Sequence, residues 1–127
     1  MPDPGPRRRV DPRRRLGVAG EDAVARWYEG AGYDVLDRNW RVRDGEIDLV
    51  ASRGDTLVFC EVKTRASTRF GTPFEAVTPS KQRRLRNLAL RWLTEHETHR
   101  RTMRFDVASV TRTSTDDLAI EVLEGAF

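Results

Sequence analysis

The segment 57–65, LVFCEVKTR, constrains the fold of this chain more than any other. Alternate residues of a strand point to opposite faces, and both faces of this one begin with apolar side chains. Leu57 and Phe59 share one face, and Val58 and Cys60 share the other. A strand that is apolar on both faces must be covered on both sides. The segment therefore predicts an interior strand of a sheet with other elements packed on each face.

The hydrophobic periodicity of the whole chain predicts two helices and five strands in the order αβββαββ. A chain of 127 residues suits one domain, and we expect that domain to span residues 16–127. The order predicts an α/β or α+β fold with one central mixed sheet on which the helices pack. The predicted elements are a helix over 16–31, strands over 35–42, 46–52 and 57–65, a loop over 66–78, a helix from Thr78-Pro79-Ser80 to about Glu97, and strands over 104–110 and 118–123.

The composition excludes several classes of protein. The longest apolar run is four residues, 57–60, whereas a membrane span needs about 20. Glu21 and Asp22 interrupt the stretch where a signal peptide needs its apolar segment. The single cysteine, Cys60, forms no internal disulfide and no cysteine-based zinc framework, and its alternation predicts an inert thiol in the core. We therefore expect a reduced, cytoplasmic protein.

The basic residues are concentrated in two parts of the chain. Residues 1–15 hold six arginines against two aspartates, and their Pro- and Arg-rich composition predicts a disordered basic arm. Residues 62–104 hold eleven basic residues against three acidic ones. This layout is typical of a protein that binds a polyanion, although a solvated helix face with a disordered arm gives the same pattern.

Charged side chains interrupt the predicted core strands at three positions. Glu61 and Lys63 end one face of the interior strand, and Asp48 lies between apolar residues in the neighbouring predicted strand. Burying one such charge costs several kcal/mol unless a partner or a metal ion offsets it. Two carboxylates on adjacent strands suit a hard cation such as Mg²⁺, and a nearby lysine suits phosphodiester hydrolysis. The alternative is an ordinary cross-strand ion pair.

Asp48, followed after twelve residues by the tripeptide Glu61-Val62-Lys63, resembles the D…(D/E)xK signature of the PD-(D/E)XK nuclease superfamily. A closer resemblance is to the YraN-like family, which is largely uncharacterised and is regarded as endonuclease-like and related to archaeal Holliday-junction resolvases. This resemblance covers roughly residues 16–123 and is carried by Gly20-Glu21, GEIDLVA (45–51), FCEVKTR (59–65) and RFDVASV (104–110). It implies an α/β fold with a restriction-endonuclease-like core.

The resemblance also implies a role for each matched residue. Asp48 and Glu61 match the carboxylate ligands of Mg²⁺ or Mn²⁺, and Lys63 matches the catalytic lysine. Glu21 matches an acidic residue on the first helix that faces the metal, although a solvated first-turn acid is an equal alternative. Glu46 lies two residues from Asp48 and is either an alternative ligand or a partner for an arginine.

Lysine is rare in this chain, since Lys63 and Lys81 are the only two among 23 basic residues. A position that keeps lysine is a candidate for needing a compact ammonium group. Lys81 falls in the first turn of the second helix, where backbone N–H groups favour phosphate. We expect it to contact a nucleic-acid backbone together with Arg65, Arg83, Arg84 and Arg86, whereas a solvated basic helix remains the alternative for the arginines.

The main hypothesis is therefore a magnesium-dependent endonuclease acting on DNA, with branched or structured DNA as the expected selective substrate. The alternative is a non-catalytic nucleic-acid-binding protein on a nuclease-like fold. A homodimer is compatible with the resemblance, because symmetric junctions suit paired sites. His96 and His99 have a spacing that can bind zinc, but they fall at a polar helix end and are expected at the surface. The three tryptophans are expected to pack in or near the core.

Overall fold

The computed structural model describes residues 11–66, 77–98, 102–114 and 116–127. These residues form two helices and five strands in the predicted order αβββαββ. The elements are α1 (Pro12–Gly30), β1 (Asp34–Val42), β2 (Gly45–Arg53), β3 (Thr56–Arg65), α2 (Pro79–His96), β4 (Thr102–Arg112) and β5 (Leu118–Leu123).

Helix α1 begins four residues earlier than the periodicity predicts. The Asp11 side chain caps it by accepting a hydrogen bond from the Arg13 N–H at 2.9 Å, and Pro12 occupies the first helical turn. Both residue types favour a helix start at these positions. The composition predicts a disordered arm over residues 1–15, but residues 12–15 are helical, and residues 1–10 lie outside the described residues.

Helix α2 begins where the sequence predicts. The Thr78 hydroxyl caps it by accepting from the Lys81 N–H at 3.2 Å, and Pro79 follows at the first position. Its C-cap, Glu97, is in the left-handed conformation with φ 48°. Most of the predicted loop that precedes this helix, residues 67–76, lies outside the described residues.

The five strands form one mixed sheet in the order β1-β2-β3-β4-β5. Strands β3 and β4 are parallel and are connected through α2, whereas the other neighbouring pairs are antiparallel. Strand β3 therefore lies at the centre of the sheet, as its doubly apolar pattern predicts. The α/β fold with a central mixed sheet is confirmed.

Each helix covers one face of this sheet. Helix α1 packs Val24 and Tyr28 against the face that carries Val58 and Cys60. Helix α2 packs Leu88, Ala89 and Trp92 against the opposite face, which carries Leu57 and Phe59. The division of β3 into two apolar faces is confirmed, and so is the burial of Cys60. Trp92 is buried and the other two tryptophans are partly buried against the two clusters, which confirms the packing role predicted for all three. No helix within the described ranges is both long and apolar enough to cross a membrane.

Candidate active site

The two predicted carboxylate ligands lie where strands β2 and β3 separate. The pairing between the strands extends as far as Leu49 opposite Cys60, and Asp48 is the next residue of β2. Its Oδ2 accepts a hydrogen bond from the backbone N–H of Val62 at 2.8 Å. The Asp48 side chain thus accepts from an N–H that would bond to a backbone carbonyl in a regular strand pair, and this contact fixes its carboxylate beside Val62 of β3.

The regular alternation of β2 is interrupted at Asp48. Leu49 packs toward α1, whereas Ile47 and Val50 both pack toward α2, although a strict alternation would place Ile47 and Leu49 on the same face. In the adjacent strand β1, Asn39 has φ 52°, a left-handed conformation that is uncommon in a strand. The irregular backbone therefore lies next to the proposed ligand, and the sequence pattern did not predict it.

Glu61 is the most enclosed acidic group of this region, with 8% of its side chain exposed. Its Oε1 contacts two ammonium groups, Lys63 Nζ at 3.1 Å and Lys81 Nζ. Its Oε2 is buried and has no hydrogen-bond partner within the described part of the chain. A buried carboxylate oxygen without a partner is costly, so this atom is available to a ligand that the protein itself does not supply.

Asp48, Glu61, Lys63 and Lys81 line one cleft of about 350 Å³. The structure therefore brings together the two predicted carboxylates, the predicted catalytic lysine and the second rare lysine. The remaining residues along the cleft are Glu21, Gly45, Glu46, Val62, Arg84, Leu85 and Leu88.

Glu21 reaches the cleft because α1 approaches the sheet closely at the preceding residue. A Cβ on Gly20 would lie 2.2 Å from the Thr64 Oγ1, so only glycine allows this approach without a shift. Glu21 Oε2 then accepts a hydrogen bond from Asn39 Nδ2 at 3.0 Å. The structure thus places Glu21 beside the cleft, as the resemblance implies, and in the middle of α1 rather than in its first turn.

The structure pairs Glu46 with an arginine, which is one of the two roles considered for it. It lines the cleft, and its Oε2 accepts from Arg41 Nε at 2.9 Å. It is the more exposed of the acidic residues there, since 47% of its side chain is accessible. We therefore assign Glu46 to the rim of the cleft, paired with an arginine.

The charges in the cleft influence one another strongly. Burial is the main cause that raises the pKa of Asp48 to about 6; the neighbouring Glu46, Glu61 and Glu21 contribute in the same direction, while the Val62 N–H opposes them. Burial lowers the pKa of Lys81 and the neighbouring Lys63 adds to this, so that the contact with Glu61 only partly restores it. A site that concentrates acidic groups in this way favours an added cation.

The predicted nucleic-acid-binding arginines separate into three places. Arg84 lines the cleft with the carboxylates and also lines an adjoining cleft together with Arg83. Arg86 lies against the rings of Phe105 and Phe127, 5.6 Å from each ring centre, and the structure does not bring it to either cleft. Arg65 is half-buried at the end of β3, opposite Thr111 of β4.

The adjoining cleft adds residues that the sequence analysis did not select. Ser80, Asn87 and Arg91 line it together with Arg83, Arg84, Leu88 and Asp44 of the β1–β2 turn. Arg91 is 3.6 Å from Asp44 and 3.6 Å from Glu95. A signal for this surface was present in the chain, because Ser80, Arg83, Arg84, Asn87 and Arg91 recur at helical spacing along α2.

A buried ionic network on the other side of the sheet was also missed. Asp106 is fully enclosed, and it accepts from Tyr28 Oη at 2.6 Å and from two nitrogens of Arg104 at 2.8 and 2.9 Å. The Gly125 N–H donates to the same carboxylate at 3.0 Å, which attaches the C-terminal segment. This network stabilises the fold and lines neither cleft. The sequence feature that indicates this network is an aspartate inside the apolar strand pattern of residues 104–110.

His96 is half-exposed at the end of α2 and stacks on Trp92, with ring centres 4.1 Å apart. Its Nε2 lies 3.5 Å from Asp37 Oδ2, so its position is explained by packing and by a neighbouring carboxylate. His99, the other member of the predicted pair, lies outside the described residues.

Comparison with known sequences assigns the chain to a family. The profile of the uncharacterised protein family UPF0102 matches residues 20–110. The chain belongs to this family. UPF0102 is the YraN-like family that the motifs of the sequence resemble. The resemblance is therefore confirmed. The matched range includes Glu21, Asp48, Glu61, Lys63 and Lys81, which are the residues gathered at the cleft.

Individual members of UPF0102 match most of the chain. A UPF0102 protein of Beutenbergia cavernae is 54% identical over 110 residues, which cover 87% of this chain and 93% of the relative. A UPF0102 protein of Frankia casuarinae is 52% identical over 112 residues, covering 88% and 95% respectively. A third, from Rhodococcus opacus, is 56% identical over 95 residues, covering 75% and 80%.

Proposed function

We propose that this UPF0102 protein is a divalent-cation-dependent endonuclease that hydrolyses phosphodiester bonds in DNA, with branched or structured DNA as its selective substrate. One observation carries the proposal: Asp48, Glu61 and Lys63 converge on one cleft, and Glu61 has there a buried oxygen that no group of the described residues satisfies. A protein that only packs its core has no use for this arrangement, because a buried carboxylate oxygen without a hydrogen bond destabilises a fold.

The donor set fits a small hard cation. Within the described residues, no group of three or more His, Cys, Asp or Glu side chains is arranged to hold a metal ion by itself. Mg²⁺ does not require such a cage, since it keeps several waters and commonly uses one or two carboxylates together with substrate phosphates. Asp48 and Glu61 would hold the cation, with Glu21 close by. When bound, Mg²⁺ or Mn²⁺ supplies the Lewis acidity that activates water and neutralises charge on a phosphate.

Lys63 is the residue of this chain that we assign to the reacting phosphate. It follows Glu61 by two residues on the same face of β3, and its Nζ is 3.1 Å from Glu61 Oε1. Its side chain is 30% exposed and lines the cleft. From this position it would donate to a phosphate oxygen and stabilise the negative charge that develops there.

The basic face of α2 offers a path for the rest of the DNA backbone. Arg84 belongs to both clefts and so connects the carboxylates to the side chains of Arg83, Asn87 and Arg91. Arginine and amide groups donate hydrogen bonds to phosphate oxygens without reading base sequence. We therefore expect binding along α2 to depend on salt and to be largely independent of sequence.

The test is single-turnover cleavage of a labelled panel with Mg²⁺ or Mn²⁺: duplex, single strand, flap and four-way junction. The wild type should cleave at least one substrate, and Asp48→Asn and Glu61→Gln should each reduce the rate by at least about a hundredfold. Glu46→Gln is the matched control, because it removes a rim carboxylate that is paired with Arg41. If Glu46→Gln loses as much activity as Asp48→Asn, the assignment of the ligands is wrong.

A non-catalytic DNA-binding protein is the second candidate. The observation that favours it is the double ion pair on Glu61, which two lysines already neutralise without a metal. In that case the wild type should bind the same panel but cleave none of it. Asp48→Asn should then leave the DNA affinity unchanged or slightly raised, since it removes a charge that repels phosphate.

A further inference from the structure

We propose that Lys81 is an internal counter-ion of Glu61 that competes with the divalent cation and turns to the DNA phosphate when the cation binds. The inference rests on the cation site proposed above and adds a positioning residue to it. The observation behind it is that Lys81, from α2, reaches the same carboxylate oxygen as Lys63, from β3.

Glu61 carries one negative charge but contacts two ammonium groups. Two positive charges meet at Oε1 of a single carboxylate that is 8% exposed, while Oε2 has no partner in the described residues. A divalent cation on Glu61 would bring two more positive charges into this space. Like charges at such short distances repel one another beside an enclosed carboxylate, so we expect one lysine to move away.

Lys81 is the lysine whose position favours leaving. Lys63 extends from the central strand, where its backbone pairs with Ser109 of β4, and it also interacts with the charge of Asp48. Lys81 stands in the first turn of α2, where the positive end of the helix disfavours a cation. Arg84, one turn further along the same helix, lines the same cleft and adds another positive charge. Without Glu61, Lys81 therefore needs another anion, and a DNA phosphate in the cleft provides one.

Removal of Lys81 distinguishes this role from a purely structural one by its effect on the affinity for the cation. If Lys81 only supports the carboxylate, its removal should leave the affinity unchanged or weaken it, because Glu61 would lose its orientation. If Lys81 competes with the cation, its removal should strengthen binding. Contacting charged groups are typically coupled strongly enough to change an equilibrium several-fold to about a hundredfold.

The experiment is a calorimetric titration with Mn²⁺ alone at about pH 8, well above the pKa of about 6 of Asp48. Lys81→Met keeps the length of the side chain without its charge, and we expect its Kd for Mn²⁺ to fall by about tenfold. Arg83→Met is the matched control: it removes a positive charge from the same helix in the adjoining cleft, and should change Kd by less than about threefold. Lys81→Gln serves the same purpose if the methionine variant does not fold.

A second measurement follows the lysine side-chain signals of the wild type by NMR. The chain has only two lysines, and the spectrum of Lys81→Met shows which signal belongs to Lys63. Addition of Mg²⁺ should shift the Lys81 signal more than that of Lys63. Unchanged or weaker Mn²⁺ binding in the Lys81 variants would overturn this inference and leave the cation site standing. No Mn²⁺ binding by the wild type would overturn both.

Discussion

Replacement of Asp48 by asparagine should stabilise the metal-free fold while removing its cation site. Burial and the surrounding acids raise the pKa of Asp48 from 3.8 to about 6, so ionised Asp48 is less favourable in the folded chain than in the unfolded one. The folded protein holds the proton more tightly, and protonation therefore stabilises the fold. This contribution is present below about pH 4 and is lost as the pH rises through about 6.

The structure sets the size of the effect. The pKa change from 3.8 to about 6 corresponds to an upper limit of about 3 kcal/mol in the free energy of unfolding at pH 8. We expect Asp48→Asn to recover about 1 to 2 kcal/mol of this, because the amide still loses water on burial. Asparagine can keep the hydrogen bond from the Val62 N–H, since its side-chain oxygen is also an acceptor.

The assay is urea denaturation of wild type and Asp48→Asn in the presence of a chelator, at about pH 8 and about pH 5. At the lower pH roughly half of the difference should disappear, because the wild-type carboxyl is then largely protonated in the folded state. Glu46→Gln is the control, and its effect should stay within about 0.5 kcal/mol because Glu46 is half-exposed at the rim. If Asp48→Asn is no more stable at pH 8, or if its effect is the same at both pH values, the electrostatic account of the cleft is wrong.

Three further predictions concern residues around the same site and the opposite core. Gly20→Ala places a methyl group 2.2 Å from Thr64 Oγ1 and should lower the free energy of unfolding by about 1 to 3 kcal/mol in urea titrations. Thr64→Ala should partly restore it, and an unaffected Gly20→Ala variant would contradict the tight approach of α1. Asp106→Ala removes the carboxylate that accepts from Arg104 and should lower the free energy of unfolding by about 3 kcal/mol in thermal unfolding, more than Asp106→Asn does. Equal losses in the two variants would show that the charge of Asp106 is unimportant. Lys63→Arg should lose about a hundredfold in single-turnover cleavage while its DNA affinity in Ca²⁺ is unchanged, and full activity would reject its assignment to the reacting phosphate.

The sequence predicted the elements of the fold and their order because these depend on local periodicity. The alternation of 57–65 also predicted correctly that β3 is central and that its two faces enter different clusters. Proximity of Asp48, Glu61 and Lys63 followed from the same reasoning, since charged groups at the ends of adjacent core strands meet at one edge. The largest difference is at the start of α1, because Asp11 and Pro12 extend the helix beyond its apolar stripe, whereas the other element ends differ by at most two residues.

Sequence alone therefore determined the sheet, the two covering helices and the core of the candidate site. The tertiary structure decided the rest: Lys81 reaches Glu61 from a different element, and Asp48 interrupts the alternation of its strand. It also joined Tyr28 to Asp106, residues separated by 78 positions in the chain. These features depend on which side chains meet after helices and strands have packed, and on the cost of leaving buried charges without partners. Local periodicity describes which face of an element a residue occupies, but it contains no information about the partner that the opposite element brings to that face.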